Sequence, residues 1–129
     1  MRTNQNGKYL PCPMARLQKV IAGKWKVYIL WILAHRTVRF GQLHRMLGEK
    51  ITQSMLTRQL RELEEDGFIT RHAYAEVPPR VEYSLSELGK SFEPVLRTLN
   101  QWAVDYLPSD NYATEPVWDN APVSVDTIS

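Results

Sequence analysis

The sequence predicts a mainly α-helical α+β fold with one small sheet, on three observations. Apolar residues recur at helical spacing over most of residues 14–66, alternate with polar residues from 81 to 85, and return to helical spacing from 87 to 107. The chain has 129 residues, of which 43% are hydrophobic and 23% are charged. That length and composition suit one globular domain.

The first two predicted elements of the chain are helices. Residues 14–21 predict a short helix that begins after Pro13, because proline tolerates the first turn of a helix, and Gly23 interrupts it. Residues 24–35 predict a second helix that is apolar almost all round. We expect such a helix at the centre of the core.

A pair of short helices follows a polar connector. The third is predicted from Phe40 to its cap at Gly48, and the fourth is capped by Thr52 and ended by Gly67. Two short helices joined by a glycine-containing turn form a helix-turn-helix pattern. The apolar stripes that predict them are Phe40, Leu43 and Leu47, and Leu56, Leu60 and Leu63.

A hairpin comes directly after this pair. Residues 69–74 and 81–85 predict two strands, the second with clear alternation of apolar and polar side chains. The connection between them contains Pro78 and Pro79, so it cannot lie inside a helix. A strand–loop–strand unit in this position is a wing, and the predicted fold is therefore a winged helix-turn-helix with a two-stranded wing.

The last predicted helix is a long C-terminal dimerisation helix. Ser86 can cap it, Pro94 should kink or break it, and it reaches about residue 107. Its apolar stripe is wider than this small body can cover, and a two-fold partner would cover it, so we expect a homodimer. The alternative is that the helix folds back on its own domain. The candidate dimerisation residues are Leu96, Leu99, Trp102 and Tyr106.

The outward face of the fourth helix is the candidate DNA-reading surface. Its hydrogen-bonding side chains are of the types that read base edges and bind phosphates. The C-terminal half, residues 62–66, is acidic and would be repelled by phosphates, so we expect the N-terminal end to enter the major groove. The alternative is an ordinary amphipathic surface helix. The candidate residues are Gln53, Ser54, Thr57, Arg58 and Arg61.

The wing offers a second contact. Arg80 follows two prolines that stiffen the loop tip, so it could reach a minor groove at small entropic cost. The alternative is a local ion pair of Arg80 with Glu76 or Glu82. Further candidates for phosphate contacts are Lys24, Lys26, Arg36, Arg39 and Arg45.

Charge is distributed unevenly along the chain. Residues 1–107 carry 16 Lys and Arg against 10 Asp and Glu, a net charge of +6, whereas residues 108–129 carry four acids and no base. A basic body favours a polyanionic partner such as double-stranded DNA, although a solvated basic face would look the same.

We predict a flexible arm over residues 1–11, the DNA-binding domain over 12–107, and an acidic, mostly irregular tail over 108–129.

Several classes of protein find no support in the sequence. No apolar run approaches the ~20 residues of a membrane span, and the start has no signal-peptide pattern. The single cysteine rules out an internal disulfide framework, which fits the reducing cytoplasm. His35, His44 and His72 lie at no metal-ligand spacing, and neither a phosphate loop nor a nucleophile elbow is present. We expect no cofactor and no enzymatic activity.

The motifs LTRQLRELEEDG (56–67) and EVPPRVEYSL (76–85), with Gly23-Lys24-Trp25 and Cys12-Pro13, resemble those of the HxlR family of bacterial transcriptional regulators. The match covers about residues 12–107. The resemblance implies a fold related to MarR-type winged helices, and a homodimer joined through its terminal helices on a two-fold-related DNA site. Members are mostly repressors and some are activators. The tail after Leu107 exceeds the usual family length, and no role carries over to it.

The resemblance also points to Cys12, because some members sense quinones, aldehydes or hypochlorite with a single cysteine near this position. Cys12 lies at the start of the first predicted helix, where backbone N–H groups favour a thiolate. A small-molecule electrophile or oxidant is therefore a candidate partner. The alternative is that Cys12 is a small buried packing residue. For the whole protein, the alternative to a DNA-binding regulator is a winged-helix module that mediates protein interactions.

Overall fold

The computed structural model describes residues 2–3, 9–10 and 12–107. Two short strands precede the first helix, and the helices and the two wing strands over residues 13–106 follow in the predicted order, with one added strand, β3. No helix of this described part is both long and apolar enough to cross a membrane. The elements are β1 (Arg2–Thr3), β2 (Tyr9–Leu10), α1 (Pro13–Ile21), α2 (Lys26–His35), β3 (Val38–Arg39), α3 (Phe40–Leu47), α4 (Gln53–Glu65), β4 (Ile69–Tyr74), β5 (Arg80–Leu85), α5 (Glu87–Ser91) and α6 (Glu93–Tyr106).

The predicted caps define the helix ends. The hydroxyl of Thr52 accepts a hydrogen bond from the backbone N–H of Met55 (3.1 Å) and so caps α4. Ser86 caps α5 in the same way, through the N–H of Gly89 (3.0 Å). Gly67 has a φ of +86°, a conformation that suits glycine directly after a helix.

The wing belongs to a three-stranded antiparallel sheet in the order β3-β5-β4. Ile69 lies opposite Leu85 in one ladder, and Val38 lies opposite Tyr83 in the other. The strand β3 was not predicted, because two residues are too few to show an alternating pattern. Its pairing with β5 connects the segment before α3 to the wing.

The core lies between α2, α3, α4 and the inner face of the sheet. The prediction that α2 is central is confirmed, since it packs against α4, α6 and β5. Two polar side chains, Lys26 and Gln59, are buried with it. The buried apolar residues are Ile29, Leu30, Ile32, Leu33, Val38, Leu43, Leu47, Ile51, Leu56, Leu60, Leu63, Ile69, Tyr83, Leu85 and Leu96.

The last helix is divided at Phe92, as Pro94 predicts. α5 ends there, and Pro94 occupies the first turn of α6, where it removes no helical hydrogen bond. Phe92 packs edge to face on Phe68, with ring centroids 6.0 Å apart. The junction is therefore anchored on the start of the wing.

Part of the predicted N-terminal arm is described by the structure, whereas the predicted C-terminal tail is not. Within the predicted arm, β1 and β2 pair antiparallel, with Arg2 opposite Leu10. That the arm is flexible remains a prediction. The predicted acidic tail, residues 108–129, lies outside the described residues.

Candidate nucleic-acid interface

The outward side chains of α4 form one polar, exposed face. Gln53, Ser54, Thr57, Arg58 and Arg61 are all exposed, while the inner stripe of α4 is fully buried. Because a helix rises 1.5 Å per residue, the eight steps from the first to the last span about 12 Å, similar to the width of the major groove. The sequence prediction placed these residues on the correct side of the helix.

Some of these side chains are already engaged and others are not. The hydroxyl of Thr57 donates to the carbonyl of Gln53 (2.8 Å), and the hydroxyl of Ser54 lies 3.4 Å from that of Thr52. Within residues 12–107, the side chains of Gln53, Arg58 and Arg61 form no hydrogen bond or ion pair. Gln53 and the two arginines can therefore reach an external ligand without breaking an internal contact.

A histidine holds the turn between α3 and α4. The Nε2 of His44 lies 2.8 Å from the carbonyl oxygen of Ile51, and its ring stacks on Phe40. His44 is half-buried and bridges the turn, a role that the sequence pattern did not assign to it. No local pattern marks this role, since it depends on a contact seven residues away.

Lys26 is almost fully buried and binds a carboxylate, so its assignment as a candidate phosphate contact was wrong. Its side chain is 4% exposed, and its ammonium lies 2.7 Å from the Oε1 of Glu62 on α4. The hydrogen bond from Lys26 and its positive charge lower the pKa of Glu62, with a smaller contribution from Arg58. The pair joins the first turn of α2 to the acidic half of α4.

Arg80 is bound within the wing. Its guanidinium forms ion pairs with Glu76 (3.1 Å) and Glu82 (3.8 Å), and it lies over the ring of Tyr74. The hydroxyl of Tyr74 in turn donates to Glu82 (3.2 Å). The local ion pair that the sequence left open is therefore present, and the exposed wing tip is Val77. That Arg80 contacts DNA remains a prediction.

The other candidate phosphate contacts differ in exposure. Arg39 is half-buried at the start of α3, opposite Glu82 in the sheet, and its Nε has no hydrogen-bond partner. Arg36 is also half-buried, whereas Lys24 and Arg45 are exposed. The ammonium of Lys24 lies 5.4 Å from the centroid of the Trp25 ring.

An apolar surface runs along the final helix. Leu99, Trp102 and Tyr106 are 49%, 55% and 69% exposed, and the Trp102 and Tyr106 rings are 5.4 Å apart. Leu96 differs, since it is 2% exposed and packs in the core of its own domain. The described part of the chain leaves most of this surface uncovered, so a fold-back onto the domain does not account for it.

Cys12 is the N-cap residue of α1 and is exposed, so it is not a buried packing residue. Its carbonyl accepts from the N–H groups of Ala15 and Arg16, while its side chain makes no capping hydrogen bond. Over residues 12–107, no group of three or more His, Cys, Asp or Glu could hold a metal ion.

The chain is similar in sequence and in structure to known transcriptional regulators. The sequence model of the HxlR-like helix-turn-helix family matches residues 20–111. The HTH-type transcriptional regulator YdeP of Bacillus subtilis (strain 168) is 48% identical over 95 residues, which cover 74% of this chain and 73% of the relative. The redox regulator HypR in its oxidized form superposes with a TM-score of 0.71 at 41% identity, over 75% of this chain and 99% of that one. The crystal structure of the regulator ytcD gives a TM-score of 0.70 at 47% identity, over 74% and 97%.

Proposed function

The chain belongs to the HxlR-like helix-turn-helix family and is a DNA-binding transcriptional regulator, and we propose that it acts as a homodimer on a two-fold-related operator. It represses by occupying that site, resides in the cytoplasm where the DNA is, and has no catalytic activity of its own. The observation that carries the proposal is the exposed polar face of α4. Gln53 and two arginines that form no ion pair with any described residue lie on that face, beyond a capped N-terminus.

Two features support entry of α4 by its N-terminal end. The first turn of the helix contains no acidic residue, and its orphan N–H groups favour phosphate. Arg58 and Arg61 carry side chains long enough to bond guanine or phosphate from the middle of the helix. The acidic residues of α4 lie past Arg61, where they would stay outside the groove.

The dimer is supported by the apolar surface of α6. A monomer in water would expose two aromatic rings and several aliphatic side chains side by side. A two-fold axis along this surface would bury it and present two α4 helices to successive major grooves.

The experiment is selection of random duplexes by the purified full chain, followed by affinity measurement on the selected duplex. We expect a palindromic site with half-sites about one helical turn (~10 bp) apart. Arg58→Ala and Arg61→Ala should each weaken binding by about 1–3 kcal/mol if the side chain reads a base. Lys19→Ala, an exposed cation on α1, serves as the control.

A chain that enriches no sequence, or whose Arg58→Ala and Arg61→Ala variants both bind as the wild type does while folded, would not be a regulator that reads DNA through α4. That result would favour the protein-interaction module instead. A protein-interaction module does not require arginine side chains on the outward face of α4.

A second function, a response to oxidants or electrophiles, is favoured by two observations. HypR is a redox regulator, and the thiol of Cys12 is exposed at the start of α1. With one cysteine per chain, oxidation would join two chains or add a small thiol. Either product changes the start of α1, the first helix of the DNA-binding domain.

A further inference from the structure

Glu62 has two cationic neighbours. The Lys26 ammonium from α2 binds its Oε1 at 2.7 Å. Arg58 lies four residues earlier on the same helix, a spacing at which opposite charges can meet. Glu62 is 44% exposed, so its carboxylate is accessible from the solvent side as well. Arg58 nevertheless forms no ion pair within residues 12–107.

We propose that Lys26 is a positioning residue for DNA recognition. By binding the Glu62 carboxylate on the side of α2, it keeps that carboxylate away from Arg58, whose guanidinium then stays available to DNA. The inference rests on the proposed function, since it concerns how one α4 arginine is kept ready for its ligand.

The geometry makes Lys26 the stronger competitor. Its side chain is 4% exposed, so its ammonium has given up water and depends on the one carboxylate beside it. Arg58 is exposed and can satisfy its charge in solvent, where an ion pair gains little. The carboxylate is therefore held on the buried side, not shared equally.

The backbone fixes Lys26 against α4. Gly23 has a φ of +126°, and a Cβ at this position would lie 2.7 Å from the Oε1 of Gln59. The loop before α2 thus passes in direct contact with α4, one turn before Glu62. This close approach brings the start of α2 within reach of the carboxylate.

Without Lys26, the cationic neighbour that remains to the Glu62 carboxylate among residues 12–107 is Arg58. An Arg58–Glu62 pair would draw the guanidinium toward the C-terminal half of α4, away from the end that enters the groove. DNA would then have to break the pair before Arg58 could bind. From the strength of exposed ion pairs, we expect a two- to fivefold loss of affinity, about the ratio such pairs provide.

The test compares Lys26→Met, Glu62→Gln and the double variant in the full chain, on the duplex selected by the wild type. We expect Lys26→Met to weaken binding two- to fivefold, and the double variant to return to the affinity of Glu62→Gln alone. The double variant has the same net charge as the wild type. Lys19→Met controls for loss of a positive charge, and Glu65→Gln for loss of a negative charge on α4.

A second readout separates positioning from simple stabilisation. In the Lys26→Met background, Arg58→Ala should cost less affinity than in the wild type, because Arg58 is already engaged. Lys26→Arg, which can keep the ion pair, should bind normally. Thermal unfolding and sedimentation of each variant establish that it is folded and has the same oligomeric state as the wild type. If Lys26→Met does not fold, Lys26→Gln takes its place with the same expectations.

Two outcomes would overturn the inference. One is a folded Lys26→Met that binds the selected duplex as tightly as Lys19→Met does. The other is a double variant that stays as weak as Lys26→Met. Failure of the wild type to select any duplex would instead reject the proposed function.

Discussion

The guanidinium of Arg80 lies 3.8 Å from the centroid of the Tyr74 ring, directly across the β4–β5 ladder. A cation over an aromatic face is attracted by the ring's quadrupole. The carboxylates of Glu76 and Glu82 form ion pairs with the same guanidinium. Arg80 therefore closes the base of the wing loop, and it would have to leave three partners to reach DNA.

We expect Arg80→Ala to loosen the wing more than it changes the charge dependence of DNA binding. The variant removes the contact to Tyr74 and leaves two carboxylates close together. Hydrogen exchange of the β4 and β5 amides should therefore rise. If Arg80 keeps its wing partners in the complex, the slope of log affinity against log salt should stay near that of the wild type, because no phosphate contact is then lost.

The matching variant is Glu76→Gln, which weakens one ion pair and keeps the arginine. If Arg80 instead binds a phosphate, Arg80→Ala should lower the salt slope by about one and Glu76→Gln should tighten binding. That pair of results would show that Arg80 exchanges its partners for DNA.

The apolar surface of α6 leads to a prediction about assembly. Leu99 and Trp102 lie one helical turn apart on the exposed face, and truncating a large side chain in a packed interface costs on the order of 3–5 kcal/mol, as in a core. We expect the double variant Leu99→Ala/Trp102→Ala to sediment as a monomer, or to unfold, at micromolar concentration. Val104→Ala, two residues further along α6 and so on another side of the helix, is the control. A double variant that stays a stable dimer would place the interface elsewhere.

Much of the fold was predictable because its signals are local. Thr52, Ser86 and Gly67 act within a few residues of themselves, so their types and positions identify the helix ends without any tertiary information. The outward face of α4 follows from helical periodicity in the same way. In a helix, the spacing of residues along the sequence determines the side of the helix on which each side chain lies.

Several features that sequence reasoning missed depend on contacts between distant segments. Lys26 is predicted as a surface cation from its type, and only the packing of α2 against α4 brings it to Glu62. Gln59 lies on the inner side of α4 despite its amide, because Gly23 leaves room for it. Leu96 and Leu99 belong to one sequence stripe, yet only Leu96 faces α2 and the core. Periodicity shows that a stripe is apolar but not which partner covers each residue.

Close packing at Gly89 gives a prediction about stability. A Cβ there would clash with the carbonyl oxygen of Phe68, a backbone atom that cannot move aside easily. Overpacking of this kind typically costs 1–3 kcal/mol, and we expect Gly89→Ala to lower the free energy of unfolding by about that amount or more. Chemical denaturation of the purified variant measures it.

Gly41 provides the matched control, because the same substitution meets different surroundings. It lies in the first turn of α3, and a Cβ there would touch only the side chain of Arg45 at 3.7 Å. Since alanine favours a helix over glycine by up to about 1 kcal/mol, Gly41→Ala should be neutral or stabilising. Equal effects at the two positions would show that the contact of Gly89 with Phe68 is not what requires glycine.

The exposure of Cys12 leads to the last prediction. Its thiol faces solvent at the N-cap of α1 and makes no capping hydrogen bond, so iodoacetamide should alkylate it in the native protein without prior unfolding. If Cys12 senses oxidants, diamide should change the affinity for the selected duplex and produce either a covalent dimer or a mixed disulfide with an added small thiol. Cys12→Ser is the control, because serine keeps a polar N-cap and cannot form a disulfide. Its DNA binding should not respond to diamide. A wild type that is alkylated readily and yet binds DNA equally well before and after diamide would mean that Cys12 is an accessible thiol with no part in regulation.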